Sequence, residues 1–304
     1  MQKRYPGYAA LRAVSVLAML LCITTLGSAQ NTVSFFVIGD WGTGGAGAKQ
    51  VGRAMAAQHE TGRVDAILTT GDNIYPSGVK SVDDPQWQSK FECVFPEEVL
   101  PVPFWAVLGN HDYRSNPDAQ IEYTGHLLSD GNTTRWHMPG RMWSTVFRSS
   151  GAAVRVRVVG IDTQQLVGSA ALRKAHLQWL DSVLASAREE WIIVVGHHPV
   201  YSHGYYGNTK VLVKYLAPMF EKYRVSAYLD GHEHDLQLLK RINGVRYIVS
   251  GGGGGKRKTV PGINTEFSAS TLGFVRLDFD AKHLRILVFD SNGERLHGAV
   301  DPGR

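Results

Sequence analysis

The chain has 304 residues, 43% of them hydrophobic, and carries 32 basic against 27 acidic side chains, enough length and apolar content to bury a sizeable core as one domain. Its formal charge of +5 is dispersed, with no Lys/Arg stripe, which argues against nucleic acid as a partner. Repeats, low-complexity linkers and charge blocks are absent from the sequence, so no domain boundary is visible.

The chain opens "MQKRYPGYAALRAVSVLAMLLCITTLGSA", with basic residues Lys3, Arg4 and Arg12, an apolar run from Ala13 to Leu26, and small residues Gly27 and Ala29 spaced like a cleavage site. This predicts a secretory signal peptide over residues 1–29, a single mature domain over 30–304, and a secreted or periplasmic location. The run is shorter than the roughly 20 residues of a spanning helix; an uncleaved anchor is the competing reading, and no stable membrane partner is expected. Leu21 before Cys22 is too bulky for a lipoprotein cleavage site. Without residues 1–29 the charge falls to +2 and Cys93 is the only cysteine, so no internal disulfide can form. "NTT" at Asn132 is a glycosylation acceptor sequence in a eukaryotic host.

Short β-branched and aromatic runs then alternate with amphipathic stretches, the pattern of an α/β domain. Predicted strands are "VSFFVIG", "DAILTTG", "PFWAVLG", "VRVRVVGID", "WIIVVG" and "SAYLDG", followed by "LQLLKRI", "VRYIVSG", "GFVRLDFD" and "LRILVFD", close enough together to form hairpins. Predicted helices cover Ala46 to His59, Asn116 to Leu128, Ala170 to Arg188, with an apolar face of Leu172, Ala175, Leu180 and Leu184, and Thr209 to Tyr223.

Five strands end alike: "VIGD" at Asp40, "LTTGD" at Asp72, "VLGNHD" at Asn110, His111 and Asp112, "VVGHHP" at His197 and His198, and "LDGHEH" at His232 and His234. Ligands in open α/β sheets bind beyond the carboxyl ends of strands, where these endings would meet. Each glycine lets backbone approach closely. Buried carboxylates and imidazoles without partners cost several kcal/mol, and a metal ion supplies the partner. Six of the 12 histidines (111, 197, 198, 203, 232 and 234) lie in these clusters, whereas scattered ones such as His59, His126 and His283 read as surface or cap residues.

Two glycine-rich stretches compete with this reading. "GTGGAG", Gly42 to Gly47, matches a dinucleotide fingerprint, but Asp40 and Trp41 intervene after the strand and every histidine is left unexplained, so it reads as a loop leading into a helix. "SGGGGGKRK" has Ser250 and Arg257 where a triphosphate loop needs glycine and Ser/Thr.

The ordered set "GDWG", "GDNIY", "GNHD", "VVGHHP" and "GHEH" resembles the signature blocks of the purple acid phosphatases, within the calcineurin-like metallophosphoesterases. The likeness runs from Val33 to Asp290, is nearest the small tartrate-resistant type, and includes "FECVFP", "QLVGSAALRKAHLQWL" and "EFSASTLGF". It implies two packed mixed β-sheets flanked by helices, an αββα metallophosphoesterase sandwich. It also implies a dinuclear centre in which Asp72 bridges. Asp40, Tyr75 and His234 would complete one site; Asn110, His197 and His232 would complete the other. Carboxylate and phenolate suit Fe(III), and amide oxygen with two imidazoles suits divalent iron, zinc or manganese.

The resemblance further implies a secreted acid phosphatase acting on phosphate monoesters. The metal pair would hold the ester and acidify water for in-line attack. His111 would donate to the substrate phosphate, with Asp112, His198 and Glu233 outside the ligand set. The family's loop histidine is missing: "YSHGYYG" has Tyr206 in its place and His203 earlier, so either of these would take the role. The cysteine pair of mammalian members is also absent, and the segment from Asp162 to Ala170 is short for a regulatory loop. A phosphodiesterase on the same scaffold and an iron-binding or redox protein are the alternative functions.

Overall fold

A computed structural model describes residues 31–129 and 135–303. The expected leader and Asn132 lie outside the described residues. Two seven-stranded mixed sheets form the centre. The first contains β1 (Val33–Ile38), β2 (Ala66–Thr69), β3 (Phe104–Ala106), β4 (Trp136–His137), β12 (Gly273–Phe279), β13 (His283–Asp290) and β14 (Arg295–Pro302), ordered β14-β13-β12-β1-β2-β3-β4. The second contains β5 (Trp143–Arg148), β6 (Arg155–Gly160), β7 (Trp191–Val195), β8 (Ala227–Asp230), β9 (Leu236–Leu239), β10 (Arg246–Ser250) and β11 (Thr265–Ala269), ordered β11-β9-β10-β8-β7-β6-β5.

Strands β1 to β4 run parallel, as do β6, β7, β8 and β10. The expected antiparallel pairs β9–β10 and β12–β13 are present. Five helices cover the outer faces: α1 (Ala46–Thr61), α2 (Asp118–Ser129), α3 (Thr163–Gly168), α4 (Ala170–Ser186) and α5 (Lys210–Lys222).

Apolar side chains fall into three layers, which is why the central strands are hydrophobic on both faces. Along β1, Phe36 and Ile38 join the core shared with α1, whereas Val33, Phe35 and Val37 face the second sheet. On the far side, Val194 of β7 and Tyr228 of β8 pack with Leu180, Leu184, Leu216 and Phe220 of α4 and α5.

Two sequence expectations need correction. The buried face of α4 is His176, Leu180 and Leu184, spaced four residues apart, while Leu172 and Ala175 of the expected face are exposed. His59 is a buried structural residue, not a surface one: its Nδ1 accepts the Val64 N–H at 3.3 Å and closes the turn after α1.

Candidate metal centre

The five strand endings meet at one end of the sandwich, beyond the carboxyl termini of β1, β2 and β3 in one sheet and β7 and β8 in the other. Short loops hold them in strained backbone. Among the described residues seven non-glycine residues have positive φ, and four of them are Asp40 (57°), Asp72 (53°), His232 (68°) and His234 (53°). Left-handed backbone at such residues is costly and is retained where surrounding contacts fix a functional geometry. The glycines make room for it. A Cβ on Gly109 would lie 2.2 Å from Asp72 Oδ1, and one on Gly231 would lie 2.5 Å from Asp40 Oδ2.

Each aspartate divides its two oxygens between scaffold and site. Asp40 Oδ2 accepts the His232 N–H at 2.8 Å, leaving Oδ1 2.9 Å from Tyr75 Oη and 3.3 Å from His234 Nε2. Asp72 Oδ1 accepts the His111 N–H at 2.8 Å, leaving Oδ2 2.8 Å from Tyr75 Oη and 3.6 Å from His197 Nε2. Tyr75 Oη is also 3.0 Å from His234 Nε2. On the other side, His197 Nε2 is 3.1 Å from both Asn110 Oδ1 and His232 Nδ1. Asp72 Oδ2 therefore stands between two clusters of donor atoms.

The tautomer of His197 follows from its partner. Its Nδ1 lies 2.9 Å from the Thr70 carbonyl, which can only accept, so Nδ1 carries hydrogen and Nε2 presents a lone pair to the cluster. Around Tyr75 two carboxylate oxygens compete for one phenolic hydrogen, with His234 Nε2 also within 3.0 Å. A cation relieves that crowding of acceptors, and the donor set, oxygens on one side with imidazoles on the other, fits a metal pair. Electrostatics point the same way. Burial, then the Asp40 and Asp72 carboxylates, pushes the Tyr75 phenol far above its ordinary pKa; burial, then His197 and His198, pushes His232 down. A nearby cation inverts the first effect and is compatible with the second, since metals bind neutral imidazole.

Other residues hold this arrangement from behind. The buried Asp112 carboxylate accepts N–H groups of Gly109 (2.9 Å), Asn73 (3.1 Å) and Ile74 (3.2 Å), tying the "GNHD" loop to the "GDNIY" loop; burial and the Asp72 charge push its pKa up to about 7. Thr163 Oγ1 accepts from the backbone of His197 (3.2 Å) and His198 (3.0 Å), so its own hydrogen goes to His198 Nδ1 at 2.9 Å. The donor atoms of His197, His198 and His232 lie within 4.8 Å of one another, so His198 adjoins the cluster with its Nδ1 already engaged.

At the rim, His111 packs its ring 4.5 Å from Tyr75 with Nδ1 2.7 Å from the Pro76 carbonyl. Tyr206 stacks on His232 at 4.3 Å and 20°. The His203 imidazole is not brought to the donor atoms: among the described residues no hydrogen bond or ring contact joins it to them. Its backbone N–H is held by Gln237 Oε1 at 2.9 Å, and its ring lies against Gly262, where a Cβ would come within 2.1 Å of Nδ1. Sequence reasoning missed what Glu233 does. Buried and pointing into the loop, it accepts the N–H groups of Tyr206 (2.9 Å) and Gly207 (2.8 Å). Its place inside "GHEH" was the signal, but its partners are a different loop.

The calcineurin-like phosphoesterase family matches residues 33–236, and the chain belongs to that family. Tartrate-resistant acid phosphatase type 5 of Homo sapiens is 33% identical over 96% of this chain and 98% of its own length. Within the family, the chain stands with the purple acid phosphatases. Among solved structures, GAP50, the anchor in the inner membrane complex of Plasmodium, has a TM-score of 0.80 at 25% identity, covering 90% of each chain. Purple acid phosphatase PPD1 from yellow lupin seeds has a TM-score of 0.68 at 18% identity, over 89% of this chain and 54% of that one, and shares the fold.

Proposed function

We propose that the protein is an exported acid phosphatase: a single metallophosphoesterase domain over residues 30–304 that hydrolyses phosphate monoesters at a dinuclear Fe(III)-M(II) centre, M being iron, zinc or manganese. The observation that carries this reading is the position of Asp72 Oδ2 between the two donor sets. Asp40, Tyr75 and His234 would hold the first ion with Asp72; Asn110, His197 and His232 would hold the second with it. When bound, the pair supplies Lewis acidity toward the ester and toward water.

The chain's own side chains complete the chemistry. His111, with Nδ1 held at the Pro76 carbonyl, keeps Nε2 as the ring nitrogen available to a phosphate oxygen. Tyr206, fixed on His232 and anchored through Glu233, takes the rim position that the resemblance left open between it and His203. Its hydroxyl offers a hydrogen bond without a charge.

Turnover of monoester and diester substrates by purified protein, before and after metal removal, tests the reading. Monoester hydrolysis that is lost with the metals and restored with them is expected. Faster diester turnover would transfer the site to phosphodiester chemistry, and metal-laden protein without hydrolysis would favour an iron-binding role.

A further inference from the structure

We propose that Arg257, mounted on Tyr206, is a specificity-determining residue: a permanent cation that holds the anionic ester beside the second ligand set. The proposal rests on the phosphatase reading above.

Arg257 lies outside all five strand endings, yet it is bound to the last of them at two points. Its backbone N–H donates to the His234 carbonyl at 2.8 Å, and its Nη1 donates to the His232 carbonyl at 2.9 Å. The guanidinium carbon is 5.0 Å from the centroid of the Tyr206 ring, the same ring that stacks on His232 at 4.3 Å. The ring under the cation is stacked on His232 and its backbone N–H is held by Glu233, so the guanidinium rests on a platform tied to the same turn. The side chain is half-buried, and among the described residues no carboxylate forms an ion pair with it.

That last feature separates Arg257 from the structural arginines. Arg135, Arg157 and Arg246 each hold a glutamate or aspartate within 2.7 Å. Arg257 has spent one N–H on a carbonyl, and a guanidinium carries five. A partly desolvated, unpaired and pre-oriented guanidinium beside a site for anions matches phosphate geometry and strengthens hydrogen bonds to it. Tyr206 contributes the platform, and its own ring is neutral. The pair thus places a fixed positive charge at the rim, where the resembling family carries a histidine. Lys256 and Lys258, exposed on either side, extend the positive field outward.

The test uses the full, metal-loaded protein and the variants Arg257→Gln, Arg257→Lys, Tyr206→Phe and Tyr206→Leu, with inorganic phosphate binding by calorimetry, KM and kcat for a monoester, and metal content. We expect Arg257→Gln to raise both KM and the phosphate Kd by about tenfold while kcat falls by less than about threefold and metal content holds. Arg257→Lys should recover part of the affinity, Tyr206→Phe, which keeps the ring and loses only the hydroxyl, should hold phosphate more tightly than Tyr206→Leu, and Tyr206→Leu should resemble Arg257→Gln in its phosphate Kd. An unchanged phosphate Kd in Arg257→Gln, or a loss of metal that accounts for its loss of phosphate, would overturn the proposal while leaving the phosphatase reading intact. Wild-type protein that holds its metals but neither binds phosphate nor hydrolyses monoesters would overturn both.

Discussion

At the scale of single residues, the site is built by dividing each side chain between two duties. Asp40 and Asp72 each give one oxygen to a backbone N–H of another ligand loop and keep the other for the donor cluster. Removing one ligand from such a set leaves its neighbours placed but under-coordinated. We therefore expect Asn110→Ala and His232→Ala each to lower kcat/KM by about 100-fold or more, with partial rescue by added zinc or manganese and an unchanged far-UV circular dichroism spectrum. Near-wild-type turnover without added metal would show that neither residue is a ligand. The candidate ligands Asp40, Asp72, Asn110, His197, His232 and His234 were visible in the sequence because each follows its strand within a few residues, whereas Tyr75 and the ligand roles came from the resemblance. Glu233 and Arg257 were not visible in this way, since their roles depend on loops around residues 206 and 257 folding back onto the same turn.

The elements divide just as cleanly between readable and unreadable. All ten strands expected from apolar runs are interior strands of the two sheets, and the four that were missed, β4, β5, β11 and β14, are the four sheet edges. An edge strand has one neighbour and a partly wet face, so its sequence keeps polar residues and loses the continuous hydrophobic run. "TEFSA" and "RLHGAVDP" show this plainly. Helix α4 was placed correctly, but its face was misjudged because a histidine, His176, lies in its core. Burial pushes that imidazole down to about 4, and its Nε2 accepts the Asp162 N–H at 3.2 Å. Because the folded value is depressed, unfolded chains take up a proton first as pH falls below 6.5, and stability drains between there and about pH 4. The charge-free variant His176→Gln should escape about 3 kcal/mol of that loss. Parallel falls of the urea midpoints of variant and wild type across this window would refute the assignment.

On the scale of the whole molecule, the proposed ligands come from both sheets: Asp40, Asp72, Tyr75 and Asn110 from loops of the first, His197, His232 and His234 from loops of the second. Bound ions would therefore fasten one sheet to the other at that end of the sandwich. Elsewhere buried Arg246 of β10 joins the sheets by pairing with Asp301 of β14. Cys93 is free and exposed, so no disulfide among the described residues shares this work. Ions that bind only the folded chain at 100 times their Kd add about 2.7 kcal/mol. Chelation should accordingly lower the thermal midpoint measurably, with reversal on adding metal back; an unchanged midpoint would mean that the sheets do not depend on the ions.

In the proposed centre, Tyr75 and the aspartates beside it would hold a trivalent iron next to a second ion. Metal analysis of purified protein combined with its visible spectrum tests it most directly, in wild type and in Tyr75→Phe. Phenolate on Fe(III) gives a charge-transfer band, so the wild type should carry about two metal ions per chain and be coloured. Tyr75→Phe should lose the band while its far-UV spectrum is retained. A colourless, metal-free protein that still hydrolyses monoesters would rule this centre out.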